Sequence, residues 1–161
     1  MTGAPRGLRI VRRFGPDDAV LAARAIARLK HTVNPPTNDP AAAMKLWLED
    51  SDNILLAAIE QERPVGFALG YLLDRVDEQA KMLFFYEIEV APTHRRQGIG
   101  AALVEAMKRV AEAERVTKMW VQTDPENTAA RALYGRADAV PSGSPELIYC
   151  WRGERLRQRG S

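Results

Sequence analysis

The sequence has few of the residues that hold metals, form disulfides or cross membranes. Its 161 residues include one cysteine and two histidines, so a disulfide within the chain is excluded and a structural zinc site is not expected. The longest apolar run, residues 54–59, is far too short to span a bilayer, and the N-terminus has no hydrophobic signal segment. We therefore expect a soluble, cytoplasmic protein that binds no metal.

Neither sign of charge is in large excess. The 23 Lys and Arg residues exceed the 21 Asp and Glu residues by only two, so the composition indicates no nucleic-acid or membrane partner. Four arginines lie near the C-terminus, and we interpret residues 152–161 as a flexible basic tail. With 46% hydrophobic residues, the chain is long enough to form one domain, residues 1–161, with its own core.

Hydrophobic periodicity predicts strands and helices that interleave in an α+β order. The predicted strands are residues 8–13, 53–60, 65–73, 82–90, 118–122 and a closing strand around residues 147–151. The predicted helices are residues 16–30, 41–49, 98–114 and 127–136. Cys150 lies in the closing strand, which favours a packed thiol over a nucleophile.

One segment, residues 87–100, reads as a strand that runs through a basic turn with two glycines into a helix. The first turn of a helix has unpaired backbone N–H groups and the positive end of the helix dipole, so it binds phosphate well. Gly98 and Gly100 allow close approach to a pyrophosphate, and Arg95 and Arg96 add positive charge. The alternative is that the glycines only shape a turn, but both lie where a strand leads into a helix. The segment therefore predicts a phosphorylated ligand.

Two common phosphate-binding patterns do not fit this segment. A dinucleotide fingerprint needs a third glycine where Leu103 stands and an acidic residue near Met119 and Trp120. A P-loop needs two glycines separated by four residues and followed by lysine and serine or threonine, whereas residues 101–103 are Ala-Ala-Leu. Nicotinamide cofactors and nucleotide triphosphate hydrolysis are therefore not expected.

The segment does resemble the cofactor signature of the GNAT superfamily of acetyl-CoA-dependent N-acetyltransferases. Residues 95–100 match the family pattern of Arg or Gln, two residues, Gly, one residue, and Gly or Ala. Residues 88–92 resemble the strand before that loop, and residues 127–134 resemble the second cofactor segment. After Tyr134, residues 135–138 depart from the charged pair and Gly-Phe that are usual in the family. The resemblance implies an acetyltransferase with a central mixed, mostly antiparallel sheet flanked by helices on both faces.

The resemblance also implies roles for individual residues. Backbone N–H groups of Ile88 and Val90 would hold the acetyl carbonyl and the pantetheine arm. Asn127 would hydrogen-bond the pantetheine, and Tyr134 would donate a proton to the leaving thiolate. These two lie about two helical turns apart, so both can face one cofactor arm, although a tyrosine that only packs the helix is the alternative. The other expected cofactor-binding residues are Arg95, Arg96, Gln97, Gly98, Ile99, Gly100 and Ala101.

Glu87 and Glu89 are the candidate bases. They alternate along the strand with Tyr86, Ile88 and Val90, so we expect the carboxylates on the sheet face opposite those three side chains. Unpaired carboxylates are costly to bury, so each is either paired with an arginine or used in chemistry. In the second case one of them binds the acceptor ammonium and accepts its proton. We favour Glu87, because Glu89 lies nearer to the thioester.

Acidic loops indicate a cationic acceptor, because they would steer and hydrogen-bond a polycation. Loops are also often polar without any ligand. The acidic loop residues are Glu49, Asp50, Asp52, Asp74, Asp77, Glu78, Asp124 and Glu126. Residues 85–99, 121–124 and 132–134 look most like the aminoglycoside 3-N-acetyltransferase branch. That likeness implies an aminoglycoside acceptor bound by Glu87, Glu89 and Asp124.

Other functions remain open at this stage. The acceptor could instead be a protein N-terminus, a lysine or a polyamine. A non-catalytic module that binds acyl-CoA is a further alternative, which the retained Tyr134 disfavours. The sequence also leaves a homodimer open.

Overall fold

A computed structural model of the chain describes residues 9–30, 38–77 and 79–143, which form five strands and four helices. The strands are β1 (Arg9–Arg13), β2 (Asn53–Glu60), β3 (Arg63–Arg75), β4 (Ala80–Val90) and β5 (Lys118–Val121). The helices are α1 (Ala19–Lys30), α2 (Pro40–Glu49), α3 (Ile99–Ala113) and α4 (Thr128–Arg136). The closing strand with Cys150, the basic tail, His31 and Glu78 lie outside the described residues.

The strands form one mixed sheet in the order β1-β2-β3-β4-β5. The first four strands pair antiparallel, whereas β5 pairs parallel to β4 because α3 carries the chain back across the sheet between them. The predicted fold class, a mixed and mostly antiparallel sheet with flanking helices, is confirmed.

Helices cover both faces of the sheet. On one face, α3 packs on the sheet through Ile99, Leu103 and Met107, which are buried in the same cluster as Leu83 and Phe85. These three helix residues are spaced four apart, which places them on one face of α3. The other face carries α1 and α2, and its cluster of buried residues includes Phe14, Ala22, Leu29, Leu48 and Phe67.

The turn between β2 and β3 is tighter than the sequence suggests. Gln61 and Glu62 alone connect the strands, with φ of 48° and 62°, and Arg63 and Pro64 already belong to β3. Positive φ at both central residues gives a turn whose twist matches that of the flanking strands. The prediction of a four-residue connection was wrong for this reason.

A β-bulge in β4 changes which side chains share a face. The register between β3 and β4 shifts at Leu69 and Gly70, which oppose Glu87 and Phe85, so Tyr86 is the extra residue. Ile88 and Val90 accordingly face the α3 cluster, whereas Tyr86 contacts rings on the face of α2.

Glu87 and Glu89 thus lie on the sheet face opposite Ile88 and Val90, as predicted. Glu87 lies on the α1 side of the sheet, where Lys30 contacts it. It shares this face with Tyr86, so the prediction that Tyr86 lies opposite was wrong, because strict alternation assumes an uninterrupted strand.

Within the described residues, no helix is long and apolar enough to cross a membrane. The same part of the chain contains no group of three or more His, Cys, Asp or Glu side chains placed to hold a metal ion.

Candidate active site

The two parallel strands of the sheet separate halfway along β4. β3 pairs with β4 from Ala80 to Val90. β5 pairs only with residues Met82 to Phe85 of β4 and ends at Val121. In a β-strand, backbone N–H and C=O groups point alternately to the two neighbouring strands. Past Phe85, half of the polar groups of β4 therefore have no partner strand on that side among the described residues, and we call this opening the gap.

The loop from β4 to α3 ends in a backbone conformation that favours glycine. Gly98 is the N-cap residue of α3 with φ of +81°, a left-handed conformation that is costly for residues with a Cβ. No atom lies within 4 Å of the place where its Cβ would be. The start of α3 is thus open, and its first N–H groups have no partner within the helix. This arrangement fits a pyrophosphate.

Gly100 makes a packing contact that was not predicted from the sequence. A Cβ at this position would lie 3.3 Å from Leu133 Cδ2, so the glycine allows α4 to pack closely on α3. Its φ is not in the left-handed region. Of the two glycines, only Gly98 has a positive φ.

The loop between β4 and α3 is held in place by side chains of β1 and β2. The Arg9 guanidinium donates to Glu60 Oε1 at 2.9 Å and to the side-chain and backbone oxygens of Gln97 at 3.1 and 3.3 Å. His94 Nε2 lies 3.1 Å from the second oxygen of Glu60, and an ionised carboxylate only accepts, so Nε2 carries the proton. These contacts fix His94 and Gln97 of the loop. Neither Arg9 nor Glu60 is among the site residues predicted from the sequence.

The two loop arginines differ. Arg95 folds back on the end of β4, where its Nε donates to the Val90 carbonyl at 3.1 Å and Nη2 lies 3.9 Å from Glu89. Arg96 is exposed, with φ of 61°. Glu89 therefore has the arginine partner that the sequence analysis allowed for, at a distance too long for a hydrogen bond.

α4 places Asn127 and Tyr134 on the α3 side of the gap. Asn127 is the N-cap residue of α4, and its Oδ1 accepts from Ala130 N at 3.0 Å. Only its Nδ2 group is then left to donate to a ligand. Tyr134 is partly buried, and its ring meets Phe85 edge-on with centroids 6.2 Å apart. Burial raises the pKa of Tyr134, so the phenol stays protonated at neutral pH.

On the other face, Glu87 is bound by a lysine that the sequence analysis did not consider. Lys30 Nζ, at the end of α1, lies 2.6 Å from Glu87 Oε2. Beside the pair stands a row of rings that we call the aromatic wall. It consists of Trp47, Tyr71, Tyr86 and Phe84, with successive centroids 6.0, 5.7 and 5.6 Å apart.

The aromatic wall and the ion pair form one electrostatic unit. Burial and the neighbouring Tyr86 raise the pKa of Tyr71, while the positive charge of Lys30 acts to lower it. Tyr86 is 52% exposed, so the wall is open to an incoming molecule. An exposed aromatic ring near a carboxylate suits a cationic group.

Two of the acidic loop residues, Asp52 and Asp77, lie away from the cofactor loop and are already paired with cations. Asp52 binds Lys81 at 2.5 Å and Asp77 binds Arg75 at 2.7 Å, at the end of the β3–β4 hairpin farthest from the loop. Asp124 is exposed, and its Oδ1 caps its own turn by accepting from Glu126 N at 2.7 Å. The expectation of an acidic mouth was therefore wrong for the hairpin, where cations already neutralise the carboxylates.

Comparisons with known proteins agree with this arrangement. Residues 22–138 match the model of the acetyltransferase (GNAT) family. Over 92 residues the chain is 30% identical to the L-2,4-diaminobutyric acid acetyltransferase of Nocardia farcinica strain IFM 10152. That alignment covers 57% of this chain and 46% of the relative, so the match spans about half the length of the relative.

Solved structures of similar fold include an aminoglycoside acetyltransferase from an uncultured soil metagenomic sample. It has a TM-score of 0.78 and 26% identity, over 90% of this chain and 99% of its own. The aminoglycoside N-acetyltransferase AAC(6′)-Iy in complex with CoA has a TM-score of 0.72 and 21% identity, over 92% of this chain and 99% of its own. The second likeness is one of fold alone.

Proposed function

Because the chain belongs to the acetyltransferase (GNAT) family, we propose that it transfers the acetyl group of acetyl-CoA to a primary amine. The observation that carries this proposal is the gap beside β4, which leads on one side to the open start of α3 and on the other to Glu87. A cofactor bound at α3 and an amine bound at Glu87 can meet through that gap. Direct attack in a ternary complex then needs no covalent enzyme intermediate.

The cofactor residues divide into a phosphate end and a thioester end. The phosphates bind the backbone N–H groups of Gly98 to Ala101, with Arg96 and Gln97 at the edge of the loop. The pantetheine arm runs along β4 and receives the Nδ2 donor of Asn127. Acetyl-CoA supplies an acyl group whose carbonyl accepts from backbone N–H groups of Ile88 and Val90.

Two side chains move protons in this proposal. Glu87 binds the acceptor ammonium and takes its proton, directly or through water, so that a neutral amine attacks. Tyr134 gives its proton to the departing thiolate and regains one from the nitrogen of the new amide, and burial, which raises the pKa of its phenol, keeps it protonated for this step. Glu89 is the second candidate base, but Arg95 lies close to it.

For the acceptor we propose an aminoglycoside, acetylated at the 3-amino group. The aromatic wall and the neighbouring Glu87 suit an amino sugar, because rings pack on its apolar faces while the carboxylate binds an ammonium. Likeness to an aminoglycoside acetyltransferase at 26% identity supports the class of acceptor. The 3-amino position rests on the sequence resemblance alone.

A second candidate acceptor is 2,4-diaminobutyrate, because the relative from Nocardia farcinica that shares 30% identity carries that substrate in its name. This molecule also offers a primary ammonium to Glu87. It has no ring to pack on the aromatic wall, which is why we place it second.

The test is a thiol-release assay with acetyl-CoA and a panel of gentamicin, 2,4-diaminobutyrate, spermidine and a peptide with a free N-terminus. We expect release with gentamicin and acetylation at its 3-amino group by NMR of the product. Release with only the peptide or spermidine would overturn the aminoglycoside proposal, and acetylation at another amine would overturn the position. Acetyl-CoA binding without turnover on any amine would indicate a binding module.

The variant Glu87→Gln tests the base. Loss of a general base costs about a hundredfold or more in kcat/KM, so we expect that loss with the accepted amine. Glu112→Gln is the matched control, because Glu112 is an exposed carboxylate on α3. Unchanged turnover in Glu87→Gln would remove Glu87 from the mechanism.

A further inference from the structure

The carboxylate that we assign to the acceptor already holds an ammonium group. Lys30 Nζ lies 2.6 Å from Glu87 Oε2, although the two residues are 57 positions apart in the chain. The side chains of Lys30 and Glu87 are 33% and 21% exposed, so another molecule can reach the pair from the solvent. An acceptor amine at Glu87 would present the same chemical group as Lys30.

The position of Lys30 allows it to bind Glu87 and also to leave. It is the last residue of α1, where a positive charge interacts favourably with the helix dipole. Its four-carbon side chain is flexible and ends in a compact charge. Near it stands the aromatic wall, whose Tyr71 is affected by the charges of both Lys30 and Glu87.

We propose that Lys30 is an internal competitor of the acceptor, whose ammonium occupies Glu87 in the free protein and is displaced when a cationic acceptor binds. The inference rests on the proposed function in that Glu87 is taken as the acceptor carboxylate. A tethered group competes at an effective concentration of about millimolar. Lys30 therefore excludes weakly bound monoamines and selects acceptors that make several charged or aromatic contacts.

A purely structural role would give the opposite result. If the ion pair only fixes the end of α1 to β4, its removal makes the surroundings of Glu87 less ordered and weakens binding of any amine. If Lys30 competes, its removal frees Glu87 and strengthens binding. The direction of the change in affinity thus separates the two roles.

The experiment measures the dissociation constants of gentamicin, 2,4-diaminobutyrate and spermidine by calorimetry, for the wild type and for Lys30→Met. We expect at least one amine to bind Lys30→Met about threefold to tenfold more tightly than the wild type. Lys45→Met is the matched control, because Lys45 is an exposed lysine of α2, and its affinities should equal those of the wild type. Lys30→Arg should bind amines no more tightly than the wild type, because an arginine holds a carboxylate at least as well.

A second measurement follows the lysine itself. Reductive methylation with mass spectrometry should show that an amine which binds raises the modification of Lys30 at least threefold, with that of Lys45 unchanged. In Glu87→Gln, Lys30 should be reactive with or without the amine.

The outcomes distinguish this inference from the proposed function. Tighter binding and exposure of Lys30 without any thiol release would uphold the inference and overturn the acetyl-transfer proposal. Weaker or equal binding by a folded Lys30→Met, or failure of all three amines to bind both proteins, would overturn the inference whatever the turnover.

Discussion

At the scale of single residues, Tyr134 has the surroundings that a proton donor needs. Its ring is packed against Phe85 and its pKa is raised by burial, so the phenol keeps its proton until a stronger base forms beside it. We expect Tyr134→Phe to lower kcat about a hundredfold, because the ring still packs but no proton is available. The dissociation constant of acetyl-CoA should change less than twofold.

The measurement is steady-state kinetics together with calorimetry of acetyl-CoA. Val140→Ala is a control, because Val140 is 85% exposed and should leave both values unchanged. A Tyr134→Phe variant with wild-type kcat would show that the tyrosine only packs α4, which is the alternative that the sequence left open.

Glu60 is the residue on which the cofactor loop depends. It contacts Arg9 and His94 through its two oxygens, and removing its charge leaves both side chains without a carboxylate partner. We expect Glu60→Gln to weaken acetyl-CoA binding about threefold to tenfold, since the loop loses its fixed position. Glu112→Gln should bind acetyl-CoA as the wild type does.

The Glu60 carboxylate also makes the stability of the folded protein depend on pH. The hydrogen bond from Arg9 is the main cause that lowers the pKa of Glu60 in the folded protein. The stabilising effect is therefore complete above the unfolded-state pKa of about 4.3 and is lost as the pH falls through the lower, folded-state pKa. In urea titrations, the difference between wild type and Glu60→Gln should shrink below about pH 4. A difference that grows in acid would contradict this assignment.

Most of the ion pairs between single side chains could not be predicted from the sequence. The turn at Gly98 was predicted because its signal is local, namely two glycines between a strand and a helix. The partners of Glu60 and Glu87 lie 51 and 57 positions away, and no local pattern identifies Arg9 or Lys30 as their cations. Only the folded sheet brings these charges together.

At the scale of elements, α4 depends on its cap. Asn127 Oδ1 accepts from Ala130 N, and replacing an asparagine cap with alanine costs about 1 kcal/mol. We expect Asn127→Ala to lower the free energy of unfolding by about that amount and to weaken acetyl-CoA binding. Asn127→Asp keeps the cap oxygen but lacks the Nδ2 donor, so it should keep its stability and lose affinity for acetyl-CoA.

Urea unfolding and calorimetry on the two variants separate the cap from the ligand contact. Thr128→Ala, a change at the first residue of the same helix, is the control and should affect both values little. If Asn127→Asp binds acetyl-CoA as tightly as the wild type, Asn127 serves the helix alone.

Strand boundaries were predicted more accurately than side-chain directions. The limits of β2 agree with the prediction, because its apolar run is unbroken. In β4 the bulge at Tyr86 shifts the alternation by one residue, and an alternation argument cannot detect such a shift. The aromatic wall results from this bulge, since it turns Tyr86 toward Tyr71.

At the scale of the whole molecule, the sheet separates two sides that the proposed reaction must connect. α3 and α4 lie with the cofactor loop on one face, and α1 and α2 lie with Glu87 and the aromatic wall on the other. Within the described part of the chain, the feature that can join them is the early end of β5. A ligand on the α3 side should therefore stabilise the fold without any acceptor.

Acetyl-CoA should raise the melting temperature in the absence of an amine. At a hundred times its dissociation constant, a ligand that binds only the folded state adds about 2.7 kcal/mol. For a chain of this size each kcal/mol raises the melting temperature by about 2 to 4 °C, so we expect a rise of about 5 to 10 °C in a thermal unfolding assay. NADH and ATP at equal concentration are the controls and should give no comparable rise, since the loop lacks the dinucleotide and P-loop patterns. An equal rise with either control would mean that the start of α3 binds pyrophosphates in general, and the assignment of acetyl-CoA would then be lost.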